Sequence, residues 1–517
     1  MKKILGPHSR LFFLFFALGA GLTFALGGYI QFHSLSNDYW NILYYGRGMT
    51  LAQPESLYNG FYPFGYAFLI GQLPFTYVLP LSYLLNALLT GLFTASVSTL
   101  ISYTRSLIAT LTAFLASLAA PFVFQNAHAL GPDIGAAAFV SFAVFMMWRG
   151  RIEGSDEELS DLNAALIGAS LGLGFLWRTH ALISALAVFA GFLLAIGLRP
   201  LRPRLWMLGV FFAFVATQVI VNLVSGHGPL ETAQAFNLYK FLSGLDWTHP
   251  PTPAELENFS FIKAVMADPQ AFLGTYRIPF FFLLSFSWTS IAAFVFSPKG
   301  RYARFALFSL LCILLYSIPI AVGDSARAPL MLMGAYITGF ALIPVTLSEF
   351  IERLLGSRTW IRTAVALAFI AAGMNTFYGW FLYDKEVIAF AAAERKVLSV
   401  IEQTLLSSGM TSPSEVFADR YDFYTPNVMP YRSRQIGNWN QDWVWGYTQE
   451  FPAIPNDSWE SFSTACRAQG IRFIVLGPNN FYRGEIFPPI YNDEVDLDAY
   501  GLRFIGQRGK MRIYEFK

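Results

Sequence analysis

Long apolar runs, separated by short polar segments, occupy roughly the first three quarters of the chain. A helix needs about 20 predominantly apolar residues to cross a bilayer. The runs are near that length or somewhat short of it, and the pattern predicts eleven membrane spans. The predicted spans are residues 11–30, 79–103, 106–125, 134–149, 163–177, 181–198, 205–224, 278–297, 303–322, 328–347 and 362–382.

The first run follows a basic start, which is also typical of a cleavable secretion signal. Its length is sufficient to span the membrane, and later spans need it for a consistent topology. We therefore predict an uncleaved first helix. The runs at 163–177 and 181–198 are separated by only three residues, so they form either a tight outward hairpin or one broken re-entrant pair.

Positive charge in the connecting segments predicts the orientation of the chain. Lysine and arginine are enriched in cytoplasmic loops of membrane proteins. The basic residues that fall on one side are Lys2, Lys3, Arg10, Arg105, Arg149, Arg151, Arg199, Arg202, Arg204, Lys299, Arg301, Arg304, Arg353, Arg358 and Arg362. With that side cytoplasmic and eleven spans, loops 31–78 and 225–277 and the C-terminal tail are expected outside.

From about residue 384 the apolar runs give way to charged helix formers and then to short strand patterns such as IRFIVLG and KMRIYEF. Asp457 or Ser458 can cap a helix over 459–469, because a side-chain oxygen there accepts free backbone N–H groups. The prediction is a polytopic α-helical membrane domain, residues 1–383, followed by an extracytoplasmic α/β domain, residues 384–517.

Composition agrees with a membrane protein. Of the 517 residues, 55% are hydrophobic, 17% aromatic and only 13% charged, which is unlike soluble domains. The net charge of +2 gives no reason to expect nucleic acid. No nucleotide-phosphate loop and no C-x-x-C or H-E-x-x-H metal spacing occurs. A cytoplasmic nucleotide-sugar enzyme and an ATP-driven pump are therefore disfavoured.

The segment after the first span, residues 34–73, contains a carboxylate close to the membrane, Asp38, among many aromatic residues. Tyrosine and tryptophan favour the membrane–water interface. The acid in NDYW, residues 37–40, and the later element YPFGY, residues 62–66, resemble the GT-C membrane glycosyltransferases, the superfamily of protein O-mannosyltransferases and lipid A aminoarabinose transferases. The resemblance implies a GT-C-like membrane domain and an inverting transfer of a sugar from a polyprenyl-phosphate carrier.

On that resemblance Asp38 is the catalytic base, and Tyr62 of the YPFGY element contributes to substrate binding. Transfer to a hydroxyl requires removal of its proton, which a positioned carboxylate can perform. Many members of the superfamily have two adjacent acids where this chain has Asn37 and Asp38. No cofactor is assigned, and use of a divalent cation stays open.

Asp133 follows the third span, near Asn126 and His128. One interpretation is a helix start, because Pro132 and Asp133 suit the first positions of a helix. The other is a second catalytic carboxylate near Asp38, since the superfamily has an acid in this loop, and both can hold together. His128 is either a substrate-binding neighbour or a structural histidine.

Arg178 and His180 lie between two apolar runs, where a charge at bilayer depth costs about 2.5–3.5 kcal/mol. They are either substrate-binding residues or part of an ordinary external turn. Arg327 precedes the tenth span and resembles the superfamily's arginine that holds the lipid phosphate; guanidinium binds phosphate oxygens in a bidentate manner. The alternatives are an arginine that only snorkels to the interface, or one that pairs with Asp324.

The sequence thus predicts a multi-pass enzyme of the inner (plasma) membrane, a hexosyl- or pentosyltransferase. Its active site faces the periplasm or cell exterior, and its acceptor is a protein, lipid or glycan. A transporter or flippase is the rival interpretation, because intramembrane charges also line transport paths. A third is a non-catalytic relative that binds lipid-linked glycans.

The topology has a direct test. Protease added to right-side-out cells or spheroplasts should release a fragment of about 130 residues, since a folded external domain is cut at its exposed linker. The fragment is identified with an antibody to the C-terminus. Cleavage that occurs only after the cytoplasmic face is opened would invert the topology and remove the site from the outer surface.

Overall fold

A computed structural model describes residues 8–27, 37–58, 62–74, 77–153, 159–197, 200–229, 263, 266–270, 287–298, 301–320, 328–355, 359–412, 415–418, 454–455, 458–478 and 486–517. Helices dominate this part of the chain. The helices before the sheet are α1 (Ser9–Gly27), α2 (Asn37–Gly48), α3 (Phe64–Gly71), α4 (Val78–Ser102), α5 (Leu107–Ala119), α6 (Pro121–His128), α7 (Asp133–Glu153), α8 (Asp161–Trp177), α9 (His180–Ile196), α10 (Leu201–Val224), α11 (Ser287–Phe296), α12 (Arg301–Ile320), α13 (Ala328–Leu355) and α14 (Thr359–Ser407).

Membrane-length helices account for part of the predicted spans. Within the described residues, five helices are long and apolar enough to cross a bilayer: Ser9–Leu26, Pro80–Ser102, Asp133–Ile152, Leu201–Val224 and Met333–Leu354. Helices α5 and α6 make a sixth span if they are counted together. Four further apolar helices, α8, α9, α11 and the Tyr302–Tyr316 part of α12, have only 10–17 residues. The total of eleven spans stays a prediction.

The predicted span 106–125 is broken rather than straight. Ser106 caps α5 by accepting a hydrogen bond from the Ala109 N–H. Ala120 is extended, and Pro121 then begins α6 at an angle of 50° to α5. Proline cannot continue the preceding helix but suits the first position of a new one, which explains the break.

Glycines allow the helices of the bundle to pack closely. A Cβ atom on Gly91 of α4 would lie 2.7 Å from the Phe16 carbonyl oxygen of α1, and one on Gly168 of α8 would lie 2.2 Å from the Met207 carbonyl oxygen of α10. Small residues at such contacts let the backbones of two helices come close together. In a bilayer, where the hydrophobic effect does not drive helices together, this close packing contributes to their association.

The short helices α2 and α3 pack on each other through two more glycines. A Cβ atom on Gly46 would lie 1.9 Å from the Ala67 carbonyl oxygen, and one on Gly71 would lie 2.2 Å from the Gly46 carbonyl oxygen. Arg47 donates to the Leu73 carbonyl oxygen at 2.9 Å. These contacts fix the end of α2 against the helix that begins in the YPFGY element.

Helix α14 runs without a break through residue 384, where the composition changes. It has 49 residues, and Leu398, Ile401 and Leu405 near its end belong to the core of the following sheet. The residues of this helix become more charged and polar after residue 384, but they remain good helix formers, so the helix continues. The division into domains at 383 stays a prediction, and the structure shows that the helix joins the two parts as one continuous element.

The sheet has four strands in the order β1–β2–β4–β3: β1 (Val416–Ala418), β2 (Phe473–Leu476), β3 (Leu502–Arg508) and β4 (Met511–Phe516). Strands β1 and β2 are parallel, and β2–β4 and β3–β4 are antiparallel. One face packs on the end of α14 and the other on α15 (Trp459–Ala468) and α16 (Phe487–Tyr491). Ser458 caps α15 by accepting from the Ser461 N–H, as one of the two sequence alternatives predicts.

An ionic cluster ties β1, β2 and β4 together. Arg472 donates to Glu415 at 3.0 Å and to Glu515 at 3.1 Å. Burial alone would raise the pKa of Glu415, but hydrogen bonds from Thr411 and Ser412 together with the Arg472 charge outweigh it, and the net pKa is lowered.

This lowered pKa predicts how the stability of the sheet depends on pH. A carboxylate whose pKa is depressed by folding stabilises the folded state above its unfolded pKa, and that contribution is lost as the pH falls through the folded pKa. We expect faster hydrogen exchange in β2 and β4 of the full-length protein below about pH 4.5. Glu415→Gln should cost about 1 kcal/mol at neutral pH and make the acid dependence shallower.

Comparing variant and wild type at each pH cancels the intrinsic exchange rate. Exposed Glu494→Gln is the matched control and should leave the pH dependence unchanged. If hydrogen exchange in the Glu415→Gln variant depends on acid as steeply as in the wild type, another group is responsible for the loss of stability at low pH.

Candidate functional site

The site begins with a break in the chain between α8 and α9. Helix α8 ends at Trp177, and Arg178 is extended, with φ −150° and ψ 128°. The Ala181 N–H then donates to the Arg178 carbonyl oxygen and α9 follows. Only two residues separate the helices, so Arg178 stays at the end of the bundle where α7 begins.

Arg178 forms a buried ion pair with Asp133, the first residue of α7. The Nε–Oδ1 distance is 3.1 Å, and the two side chains are 5% and 10% exposed. A carboxylate in the first turn of a helix also interacts favourably with the helix dipole. Asp133 therefore begins a helix, as the first interpretation predicts, and its role as a second catalytic carboxylate stays a prediction. Arg178 is not an ordinary external turn residue.

Two glycines allow aromatic side chains to close around this pair. A Cβ atom on Gly135 would lie 2.4 Å from Trp177 Nε1, and one on Gly65 would lie 2.9 Å from Leu176 Cβ. The rings of Tyr66 and Trp177 lie 5.6 Å apart. Larger residues at 65 and 135 would push α3 and the indole away from the ion pair.

Tyr66 connects the ion pair to the helix that carries Asp38. Burial, with Tyr39 and Asp133 nearby, raises the pKa of the Tyr66 hydroxyl well above its usual range, so this group stays a proton donor. Tyr39 follows Asp38 in the chain and is fully buried. Its hydroxyl shares a hydrogen bond of 2.8 Å with the hydroxyl of Ser82. Tyr39, Tyr66 and Asp133 thus form a continuous buried series.

Several hydrogen-bond donors of the site lack an acceptor among the described residues. Among the residues that the structure describes, Tyr66 Oη, Trp177 Nε1 and Arg178 Nη1 are buried and make no hydrogen bond. Buried polar groups are nearly always paired, so unpaired ones in a native structure require an explanation. Indole and guanidinium nitrogens only donate, and they therefore suit a ligand rich in acceptor oxygens.

The other residues singled out in the sequence are placed as follows. Tyr62 is 2% exposed in the turn before α3, whose first N–H is held by Gln218 of α10 at 3.0 Å. His180 is partly exposed at the start of α9. His128 ends α6, 3% exposed, with its ring 4.7 Å from that of Phe124.

Two predicted site residues lie wholly or partly outside the described residues. The backbone of Asp38 belongs to the first turn of α2, but its side chain is not described. Arg327 and Asp324 precede α13, outside the described part of the chain. No group of three or more His, Cys, Asp or Glu suited to a metal ion occurs among the described residues.

Sequence reasoning missed Tyr66 and Trp177 as site residues. A signal was present for both, since Tyr66 closes the YPFGY element and Trp177 immediately precedes Arg178. Aromatic residues are so frequent in this chain that neither position stood out from those that only pack.

Two solved structures of one protein share the fold of this chain. The crystal structure of ArnT from Cupriavidus metallidurans bound to undecaprenyl phosphate aligns over 98% of each chain, with a TM-score of 0.55 and 13% sequence identity. The apo form aligns over 97% of each chain, with a TM-score of 0.52 and 13% identity. ArnT is an aminoarabinose transferase of the GT-C superfamily. The chain has the fold of these ArnT structures.

No protein-family model and no curated protein sequence matches this chain. The predicted GT-C resemblance is confirmed by its structural neighbours, and at 13% identity they show the fold alone.

The ion pair predicts a specific pattern of stability. Asp133→Asn leaves Arg178 buried without its counter-charge, and Arg178→Gln does the same to Asp133, so each should destabilise the protein by about 3–5 kcal/mol. The double variant Asp133→Asn/Arg178→Gln buries no charge and should recover much of that loss. Thermal midpoints in detergent measure all three.

The matched control is the exposed pair of Arg202 and Asp161, 2.7 Å apart with side chains 79% and 37% exposed. Asp161→Asn should cost at most about 1 kcal/mol. Additive losses in the Asp133→Asn/Arg178→Gln double variant would mean that the two charges do not stabilise each other.

Proposed function

We propose that the chain is an integral membrane glycosyltransferase that takes a sugar from a polyprenyl-phosphate carrier and transfers it to an acceptor hydroxyl at the outer face of the membrane. The buried Asp133–Arg178 pair, with Arg178 Nη1 and Trp177 Nε1 lacking partners among the described residues, carries this proposal. Such a set of fixed donors suits phosphate oxygens in a water-poor site.

The GT-C fold supports the choice of reaction. The solved ArnT structure of that fold was obtained with undecaprenyl phosphate bound. A lipid carrier can reach a site at the membrane edge from within the bilayer, whereas nucleotide sugars are not normally present outside the cell. The acceptor class, whether protein, lipid or glycan, is left open by this argument.

In the proposed reaction the acceptor oxygen bonds to the anomeric carbon while the bond from that carbon to the phosphate oxygen breaks. The electron pair of the broken bond stays with the phosphate, and the configuration inverts. Asp38 takes the acceptor proton as general base. Arg178, positioned by Asp133, and Arg327 hold the phosphate as its negative charge grows, which lowers the energy of the transition state.

His180, His128 and Tyr62 have a secondary place in this proposal. His180 begins α9 next to Arg178 and is assigned to the donor side. Tyr62 shapes the turn that places α3 against α8. His128 is buried at the end of α6, where its packing on Phe124 favours a structural role.

The test is Asp38→Asn, which keeps the size of the side chain but cannot accept a proton near neutral pH. General-base catalysis typically contributes about 10²–10⁴-fold, so a rate loss of that size is expected. The purified protein is given undecaprenyl phosphate carrying a radiolabelled hexose or aminopentose, with a membrane extract as acceptor. Release of undecaprenyl phosphate and transfer of label are both measured.

Asp161→Asn makes the same chemical change at an exposed position and should keep its activity; an unchanged thermal midpoint shows that each variant is folded. An Asp38→Asn protein that retains more than about a third of the wild-type rate excludes Asp38 as the base. Donor bound without release of undecaprenyl phosphate would favour the non-catalytic binder. Intact donor carried across vesicles would favour the flippase.

A further inference from the structure

A small cavity lies inside the bundle, between α4, α7, α9, α12 and α13. Its volume is about 40 Å³. Hydroxyl groups from each of the five helices line it, together with the thiol of Cys312 and aliphatic side chains. The hydroxyl-bearing residues are Ser96, Ser141, Ser184, Tyr316 and Thr338.

Most of the lining is apolar, and it is these few hydroxyl groups that distinguish the cavity from a purely aliphatic packing defect. Cavities lined by aliphatic and aromatic carbon stay dry, whereas a cavity with two to four polar partners holds water. Each water needs about 10–15 Å³ of such space, so there is room for about two or three. Ser96 and Thr338 donate to carbonyl oxygens of their own helices, Leu92 and Gly334, each at 2.6 Å, which leaves their oxygens able to accept from a water.

Tyr316 supplies a donor to the same space. It is 1% exposed, and its hydroxyl makes no hydrogen bond of good geometry to any described residue, although Ser184 lies beside it. A buried hydroxyl without a partner carries a desolvation cost, and a water in the cavity removes that cost.

The cavity adjoins the ion pair through the same two residues. Tyr316 lies within electrostatic range of both Asp133 and Arg178. Ser184 Oγ is 3.5 Å from the carbonyl oxygen of His180, in the first turn of α9 after Arg178. Water held at Tyr316 and Ser184 would therefore lie against the inner side of the site, away from the membrane edge where substrate enters.

We propose that this cavity binds a cluster of two or three waters and that Tyr316 is a positioning residue, which through this water fixes the Asp133–Arg178 pair from within the bundle. The effect on donor binding rests on the proposed function, whereas the presence of water does not.

Tyr316→Phe tests the proposal, because it removes one oxygen and keeps the ring. If water is bound, the variant loses a hydrogen bond and leaves the cluster short of a donor, so its thermal midpoint should fall by about 1–2 °C. If the cavity is dry, the change removes an unpaired buried hydroxyl and the midpoint should rise. A rise overturns the proposal. Tyr378→Phe deletes an exposed hydroxyl on α14, outside the cavity lining, and is the control that should leave the midpoint unchanged.

A second variant, Ala187→Val, fills the cavity from α9 without touching a hydroxyl. Filling a dry void should raise the midpoint, whereas expelling bound water should lower it. The thermal midpoint should change in the same direction in both variants, and a rise in both excludes bound water. If one fails to fold, the other still decides.

Activity separates this inference from the proposed function. Tyr316→Phe should raise the KM for the undecaprenyl-phosphate sugar about threefold to tenfold and change kcat less, since a hydrogen bond of about 0.5–1.5 kcal/mol positions the phosphate-binding arginine. A lowered midpoint with an unchanged KM would support bound water but exclude a positioning role for Tyr316. Absence of any transfer by the wild type would overturn the proposed function and leave the midpoint test intact.

Discussion

The buried ion pair between Asp133 and Arg178 is the constraint on which this end of the bundle depends. The two residues begin one helix and end another, 45 positions apart in sequence, and neither charge is tolerable alone in a site where the side chains are 5–10% exposed. Replacing such a pair by apolar residues is often neutral or stabilising, so the pair is a poor device for stability as such. Its presence is better explained by what a fixed arginine does for a ligand.

Close contacts between helix backbones connect the ion pair to the neighbouring helices α3 and α2. Gly65 and Gly135 let α3 and the Trp177 indole pack against the helix ends that hold the pair, and Gly46 with Gly71 lets α2 pack against α3. The end of α2 is thereby positioned by backbone contacts, and the hydrogen bond between Tyr39 and Ser82 holds its start. A base on that helix would need this rigidity, because an error of about 1 Å in a reacting group can cost about a hundredfold in rate.

The sequence predicted elements better than it predicted their relations. Three strands and the Ser458 cap were readable, since alternation and capping are local. Asp133 and Arg178 were each singled out, but nothing local showed that they pair, because that depends on how α7 and α8 pack. The break at Pro121 had a signal that hydropathy alone concealed. Helix α14 passes through residue 384 because the change in composition there reflects a change of surroundings, and helix formers continue across it.

Charge balance gives a physical reason to expect Arg327 in the site. With Asp133 and Arg178 neutralising each other, a lipid phosphodiester would bring one uncompensated negative charge into a buried site, and bond cleavage would raise that to nearly two. Burying a charge without a partner is costly, so the site needs a second cation. Arginine suits the first role because its Nε can pair with Asp133 while its Nη atoms bind phosphate in a bidentate manner, a geometry that a lysine ammonium does not provide. Arg327, which precedes α13, would supply the second positive charge, and only with both cations would the leaving phosphate be stabilised more than the bound donor.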